Sequence, residues 1–128
     1  MILLDTHAWI WWLSDPEGSP LTRRERMLIS DAHGQGAVVI SAMSLIEAQM
    51  LVQKGRLLLT IPFEQWLREA TRTDLVTVLP IDRDVVLAVH ALPKSFHGDP
   101  ADRVIYATSR LYDCQLITHD RRMRRSKS

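Results

Sequence analysis

The chain contains one cysteine, Cys114. It cannot form an internal disulfide, which suits a reducing, cytoplasmic compartment. Nothing around Cys114 resembles the setting of a nucleophile, and it reads as a small residue near a helix end. No apolar run approaches the ~20 residues that span a bilayer, so no membrane role is expected. The start, Met1-Ile2-Leu3-Leu4-Asp5, lacks a basic region and meets a carboxylate at once, unlike a secretory signal. Internal repeats, low-complexity stretches and linkers are also missing. What remains is 128 residues, 46% of them hydrophobic, enough for a single domain spanning 1–128 with a sizeable core.

Net charge is only +1, but its distribution is uneven. Residues 121–127 read Arg-Arg-Met-Arg-Arg-Ser-Lys. Such a cluster can bind nucleic-acid phosphates, and it is equally what a solvated terminus looks like. If Arg121, Arg122, Arg124 and Arg125 hold nucleic-acid phosphates, deleting 121–128 should weaken binding and flatten its salt dependence. An unchanged salt slope would mark the tail as passive.

Short apolar runs alternate with helical patterns. Strands are expected at 2–4, 37–40, 75–79 and 115–118. Helices are expected at 6–13, from Thr22 to about 32, and at 43–54, 63–72, 83–92 and 100–111. Thr22 and Glu25 form a capping box, His33-Gly34 and Gly55 end two helices, and Asp82 caps another. Phe63, Trp66, Leu67 and Ala70 recur at helical spacing, marking one buried face. Such alternation implies an α/β fold with a mostly parallel central sheet.

Acidic residues follow the strand ends. Asp5 succeeds Ile2-Leu3-Leu4, Glu47 lies beyond Val38-Val39-Ile40, and Asp120 follows Leu116-Ile117-Thr118. Asp99 and Asp102 flank Pro100 at the opening of a helix. Ligands of open α/β sheets bind at the carboxyl ends of the strands. Carboxylates gathered there repel one another unless a hard cation such as Mg²⁺ or Mn²⁺ neutralises them. The pattern points to metal-dependent phosphate chemistry.

Each acid also has a plainer reading. Asp5 can cap the helix that follows, and Asp120 can belong to a turn. Ser44-Leu45-Ile46-Glu47 matches a capping box, but Ser41 is an equally good cap and would free Glu47 on a very apolar helix. Asp99 suits the helix cap, as cap or auxiliary acid, and Asp102 heads an apolar face as the better ligand. Arg103 can clamp a carboxylate or meet a phosphate. His97 reads as a loop residue and His7 as peripheral. Trp9, Trp11 and Trp12 read as core or interface rather than a base-stacking platform; adjacent Trp11 and Trp12 cannot both face one core.

Leu3-Leu4-Asp5-Thr6-His7, Ser44-Leu45-Ile46-Glu47, Gly98-Asp99-Pro100-Ala101-Asp102-Arg103 and Leu116-Ile117-Thr118-His119-Asp120 together resemble the motifs of PIN-domain ribonucleases, in order and spacing. The closest resemblance is to the VapC toxin branch of toxin–antitoxin pairs. It implies a three-layer α/β/α fold with a central parallel sheet and endonucleolytic cleavage of RNA. It implies Mg²⁺ or Mn²⁺ held by Asp5, Glu47, Asp102 and Asp120, with Asp99 as a further candidate and Thr6 and Thr118 as polar helpers. It also implies a homodimer, a VapB-type antitoxin covering the acidic site, and a larger complex of the two proteins. Family members usually continue past the position of Asp120 into a last strand, where this chain has its basic stretch. Arg103, Arg110 and the basic run are the candidates for holding RNA. A silent binding module is the rival from another class, though it has no need of four acids. A phosphohydrolase or flap-type DNA nuclease is the rival among enzymes. A receiver-like domain would need a lysine after its last strand, where Thr118 and His119 stand.

Overall fold

A computed structural model of the chain describes residues 1–14, 19–96, 98–121 and 123. Its element order is β1 (Ile2–Leu4), α1 (Thr6–Ser14), α2 (Arg23–Gly34), β2 (Val38–Ser41), α3 (Ala42–Gln53), α4 (Phe63–Ala70), β3 (Thr77–Leu79), α5 (Arg83–His90), α6 (Pro100–Leu111) and β4 (Gln115–Ile117). The four strands form a parallel sheet in the order β3-β2-β1-β4. Ile2 pairs with Val38 and Gln115, and Leu4 with Ile40 and Ile117. After β3 the chain returns to the far side of β1. The carboxyl ends of β1 and β4 therefore flank the point where strand order reverses, the usual place for a ligand crevice.

Strands covered on both faces read as unbroken apolar runs, and the two-residue alternation decides which helix each side chain meets. Ile2, Leu4, Val38, Ile40 and Ile117 point to one face. There they pack with Ala8, Trp9, Ile29, Ala32 and Ala48, beneath a half-buried layer that includes Trp66 and Leu67. Leu3, Val39, Leu79 and Leu116 point to the other face, against Ile105, Tyr106, Phe96 and Met123. The result is a three-layer α/β/α arrangement. Trp9 is fully buried, its ring lies 5.4 Å from that of Trp66, and its Nε1–H donates to the Ala70 carbonyl at 3.4 Å. Among the described residues no helix is long and apolar enough to cross a membrane.

The element boundaries differ from expectation where local hydrogen bonds intervene. The amides of Leu75 and Val76 turn back to the Arg72 carbonyl, so β3 starts two residues later than the apolar run suggests. Thr71 and Ala91 close α4 and α5 earlier than expected, each returning its N–H to the preceding turn. The left-handed residue after α2 is Gly36, at φ +65°, rather than Gly34. Gly55 ends the α3 region at φ +71° as its sequence suggests. Beyond β4, Asp120 leads into helical backbone at Arg121 and Met123 instead of a strand, and the Met123 side chain is buried in the second core.

Candidate active site

The carboxyl edge of the sheet opens into a cleft of about 440 Å³. Asp5, Glu47, Asp99, Asp102 and Asp120 all line it, with Thr6 between the first two. The five carboxylates come from four places: the end of β1, the second turn of α3, the start of α6 and the turn after β4. No lysine or arginine among the described residues lines this cleft.

Asp5 serves two partners. Its Oδ1 accepts the Ala8 amide at 2.8 Å and so caps α1. Its Oδ2 accepts the Thr118 hydroxyl at 2.6 Å. Thr118 in turn accepts the Asp120 amide at 3.0 Å, tying the two strand ends together. The Asp5 amide reinforces this by donating to the Ile117 carbonyl at 3.1 Å. Burial pushes the Asp5 carboxyl above its ordinary range, and the bonds from Thr118 and Ala8, with His7 and His119 nearby, only partly offset that.

The competing caps near Glu47 resolve in favour of Ser41, whose hydroxyl accepts the Met43 amide at 3.0 Å. Glu47 is thereby released from the helix end. It accepts the Thr6 hydroxyl, and Thr6 lies 2.9 Å from the buried Ser44 hydroxyl. Since Thr6 gives its proton to the carboxylate, Ser44 donates to Thr6, and the three groups form a directed chain. Burial raises the Glu47 carboxyl, Thr6 opposes it, and the negative charges of Asp102 and Asp99 raise it further.

Asp99 caps α6 through Oδ1, which accepts the Asp102 amide at 3.0 Å, while Pro100 occupies the first turn. Both acids face the cleft, so the capping role of Asp99 and its proximity to the other carboxylates coexist. Asp120 Oδ1 accepts the Met123 amide at 3.3 Å.

The basic candidates are more scattered. The Arg103 guanidinium lies 5.9 Å from the Phe96 ring centre, and Nη1 donates to the Phe96 carbonyl at 3.4 Å. Arg110 sits ~12 Å along α6 from Asp102, at 1.5 Å per residue. It packs over Tyr106 and donates to the Tyr106 hydroxyl at 3.1 Å. Arg121 is exposed beside Asp120. His97, Arg122, Arg124 and Arg125 lie outside the described residues.

Three residues in the cleft wall were not expected there. His7, which reads as peripheral in the sequence, lines it, as do His119 and Trp11; Trp11 also packs against the first core as its sequence suggests, and so does the adjacent Trp12, contrary to the expectation that the two cannot share one core. His7 and Trp11 are four residues apart and share one face of α1, with ring centres 5.7 Å apart. The signal lay in α1 starting directly at Asp5: a helix anchored there presents the face of residues 7 and 11 to the same crevice. His119 Nε2–H donates to Glu25 Oε1 at 2.7 Å. Burial acts to raise the Glu25 carboxyl, but the Thr22 amide and His119 together bring it below its ordinary range.

Among the described residues no group of three or more His, Cys, Asp or Glu side chains is drawn together tightly enough to hold a metal ion as placed. The donor chemistry nevertheless fits a hard divalent cation: the cleft is rich in carboxylate oxygens, and two of the acids are raised above their ordinary range, Asp5 by burial and Glu47 by burial and then by the neighbouring Asp102 and Asp99.

The fold and this acidic cleft define a PIN-type nuclease scaffold. The PIN domain family matches residues 2–127, and the chain belongs to that family. It is 34% identical over 123 residues to "Ribonuclease VapC22" of Mycobacterium tuberculosis (strain ATCC 25618 / H37Rv), covering 96% of this chain and 89% of that protein. Its fold also matches a solved structure of FitAB bound to an IR36 DNA fragment, with a TM-score of 0.62 and 22% identity, covering 94% of this chain and 85% of the other.

Proposed function

We propose that this protein is a metal-dependent endoribonuclease, the toxin of a toxin–antitoxin pair. The observation that carries the reading is the convergence of Asp5, Glu47, Asp99, Asp102 and Asp120 on one cleft at the carboxyl edge of the sheet. Membership of the PIN family and the likeness to a VapC ribonuclease support it.

Asp5, Glu47, Asp102 and Asp120 would hold Mg²⁺ or Mn²⁺. A bound ion of this kind supplies charge at the phosphate oxygens and a nucleophilic water at neutral pH. Thr118 fixes the Asp5 carboxylate, and the Ser44–Thr6 chain fixes Glu47. Asp99 secures the N-terminus of α6 and with it the position of Asp102. A carboxylate of the set accepts the proton released by the attacking water. RNA phosphates lean on Arg103 and Arg121, and on the basic run that follows. A VapB-type antitoxin is the proposed partner, and a homodimer the proposed assembly. Exposed Val86 and Leu87 on α5 supply apolar surface for protein contact.

Water attack on phosphorus leaves a 3′-hydroxyl and a 5′-phosphate. A purified preparation given a total RNA pool with Mg²⁺ should produce discrete cuts with those ends. A 2′,3′-cyclic phosphate would show attack by the ribose hydroxyl and overturn the mechanism. A folded protein, freed of any antitoxin, that binds RNA without cutting it would favour a silent binding module.

A further inference from the structure

The mechanism above leaves one wall of the cleft without a task. Trp11 is half-buried and faces the space between the acids. The His119 ring meets it edge-on, with centres 5.1 Å apart and planes at 65°. His119 is itself held by Glu25, whose Oε1 also accepts the Thr22 amide at 2.9 Å within the capping box of α2. Trp11 is thus braced through His119 from a separate helix. Trp9 fills the core and Trp12 meets His33 elsewhere, so of the three α1 tryptophans only Trp11 lines the cleft.

A phosphodiester that reaches the carboxylates brings its flanking nucleotides with it. Their bases carry π-faces that stack on aromatic side chains whatever the sequence. A base inside an A-form helix is already stacked and offers no free face. An aromatic ring fixed beforehand loses little freedom when the base arrives.

We propose that Trp11 stacks on an unpaired base next to the RNA bond that the acidic cleft receives, with His119 and Glu25 as positioning residues that brace it. The proposal rests on the ribonuclease reading of the same cleft.

The test uses single-stranded RNA oligonucleotides of mixed sequence that the protein binds, each carrying one abasic position in turn. Affinity is read by fluorescence anisotropy with the full chain carrying Asp5→Asn, in Mg²⁺, so that binding is separated from cleavage. Removing the stacked base should weaken binding roughly ten-fold, within the range for base–aromatic stacks. Trp11→Leu, which keeps apolar bulk but no π-face, should lose the same factor and no longer distinguish the abasic oligonucleotide. Trp11→Phe should restore the distinction. In cleavage, Trp11→Leu should raise KM with little change in kcat. Base-dependent binding that requires an aromatic ring at position 11, in a protein that never cuts, would uphold the stack and sink the ribonuclease reading. An abasic penalty equal in the parent and Trp11→Leu would overturn the stack and leave cleavage standing. Failure of the parent to bind RNA would overturn the stack as well.

Discussion

Asp5→Asn is expected to lower RNA cleavage about a hundred-fold or more while leaving the metal-free protein at least as stable as its parent. The magnitude follows from the 10- to 100-fold loss typical when a partner of a metal ligand is removed; loss of a ligand itself should exceed that. The stability half separates the two roles that Asp5 combines. As a helix cap, asparagine is as good as aspartate. Its amide oxygen keeps the Ala8 amide, and its NH₂ faces Thr118, whose oxygen has a lone pair to accept it. What the substitution removes is a buried negative charge, and burial is the first reason that the Asp5 carboxyl is raised. A protein that keeps its carboxylates charged in such a cleft gives up stability for function. Thermal melting in EDTA beside a cleavage assay decides the matter. Full activity in Asp5→Asn would reduce Asp5 to a cap, and a sharp fall in melting temperature would show that its charge is structural.

The residues that define this cleft were largely legible in the sequence, because Asp5 and Asp120 come just after apolar strands and Asp99 and Asp102 open a helix, while Glu47 stands out as a carboxylate in the second turn of an apolar helix. Strand ends are fixed by backbone geometry, so a carboxylate one residue past Leu4 has little choice but to sit at the sheet edge. Ambiguity arose where two caps competed. Ser41 and Ser44 both fit the start of α3, and only the long-range bond from Ser44 to Thr6 shows why Ser44 is spent elsewhere. Local pattern cannot reveal a contact between residues 38 apart in the chain. The same limit hid the aromatic wall. Trp11 and His7 look like any amphipathic pair until β4 brings His119 alongside them. Boundaries slipped by two residues at the start of β3 and at the ends of α4 and α5, where amides fold back on the preceding turn. The sheet order β3-β2-β1-β4, which puts Asp5 and Thr118 side by side, depends on tertiary pairing that alternation of elements leaves open.

Removing divalent metal should abolish cleavage, and restoring it should stabilise the fold in a manner that grows with pH. EDTA is expected to bring cutting of a total RNA pool to background, with recovery on excess Mg²⁺ or Mn²⁺. Saturation at a hundred times Kd corresponds to about 2.7 kcal/mol, roughly 10 °C in melting temperature for a domain of this size. The pH direction follows from Asp5 and Glu47, whose ordinary values are 3.8 and 4.5 and whose folded values are both raised. A raised carboxyl contributes stability that is fully present below its ordinary value and is lost as pH climbs through the folded one. The metal-free protein therefore loses this contribution as pH climbs from about 4 through the raised folded values. A cation needs deprotonated ligands, so its stabilisation must appear over the same interval. Glu25 works with the opposite sign, since its lowered carboxyl stabilises above its ordinary value and is lost in acid. It is bonded to His119 and Thr22 rather than placed among the ligands, so its contribution is common to both conditions and cancels in the difference with and without metal. The expected result is a Mg²⁺-induced shift near zero at about pH 4 that rises towards neutrality, and that shrinks in Asp5→Asn and Glu47→Gln. A shift that ignores pH, or survives both substitutions, would place the cation elsewhere on the protein. Cleavage that persists in EDTA would remove it from the chemistry altogether.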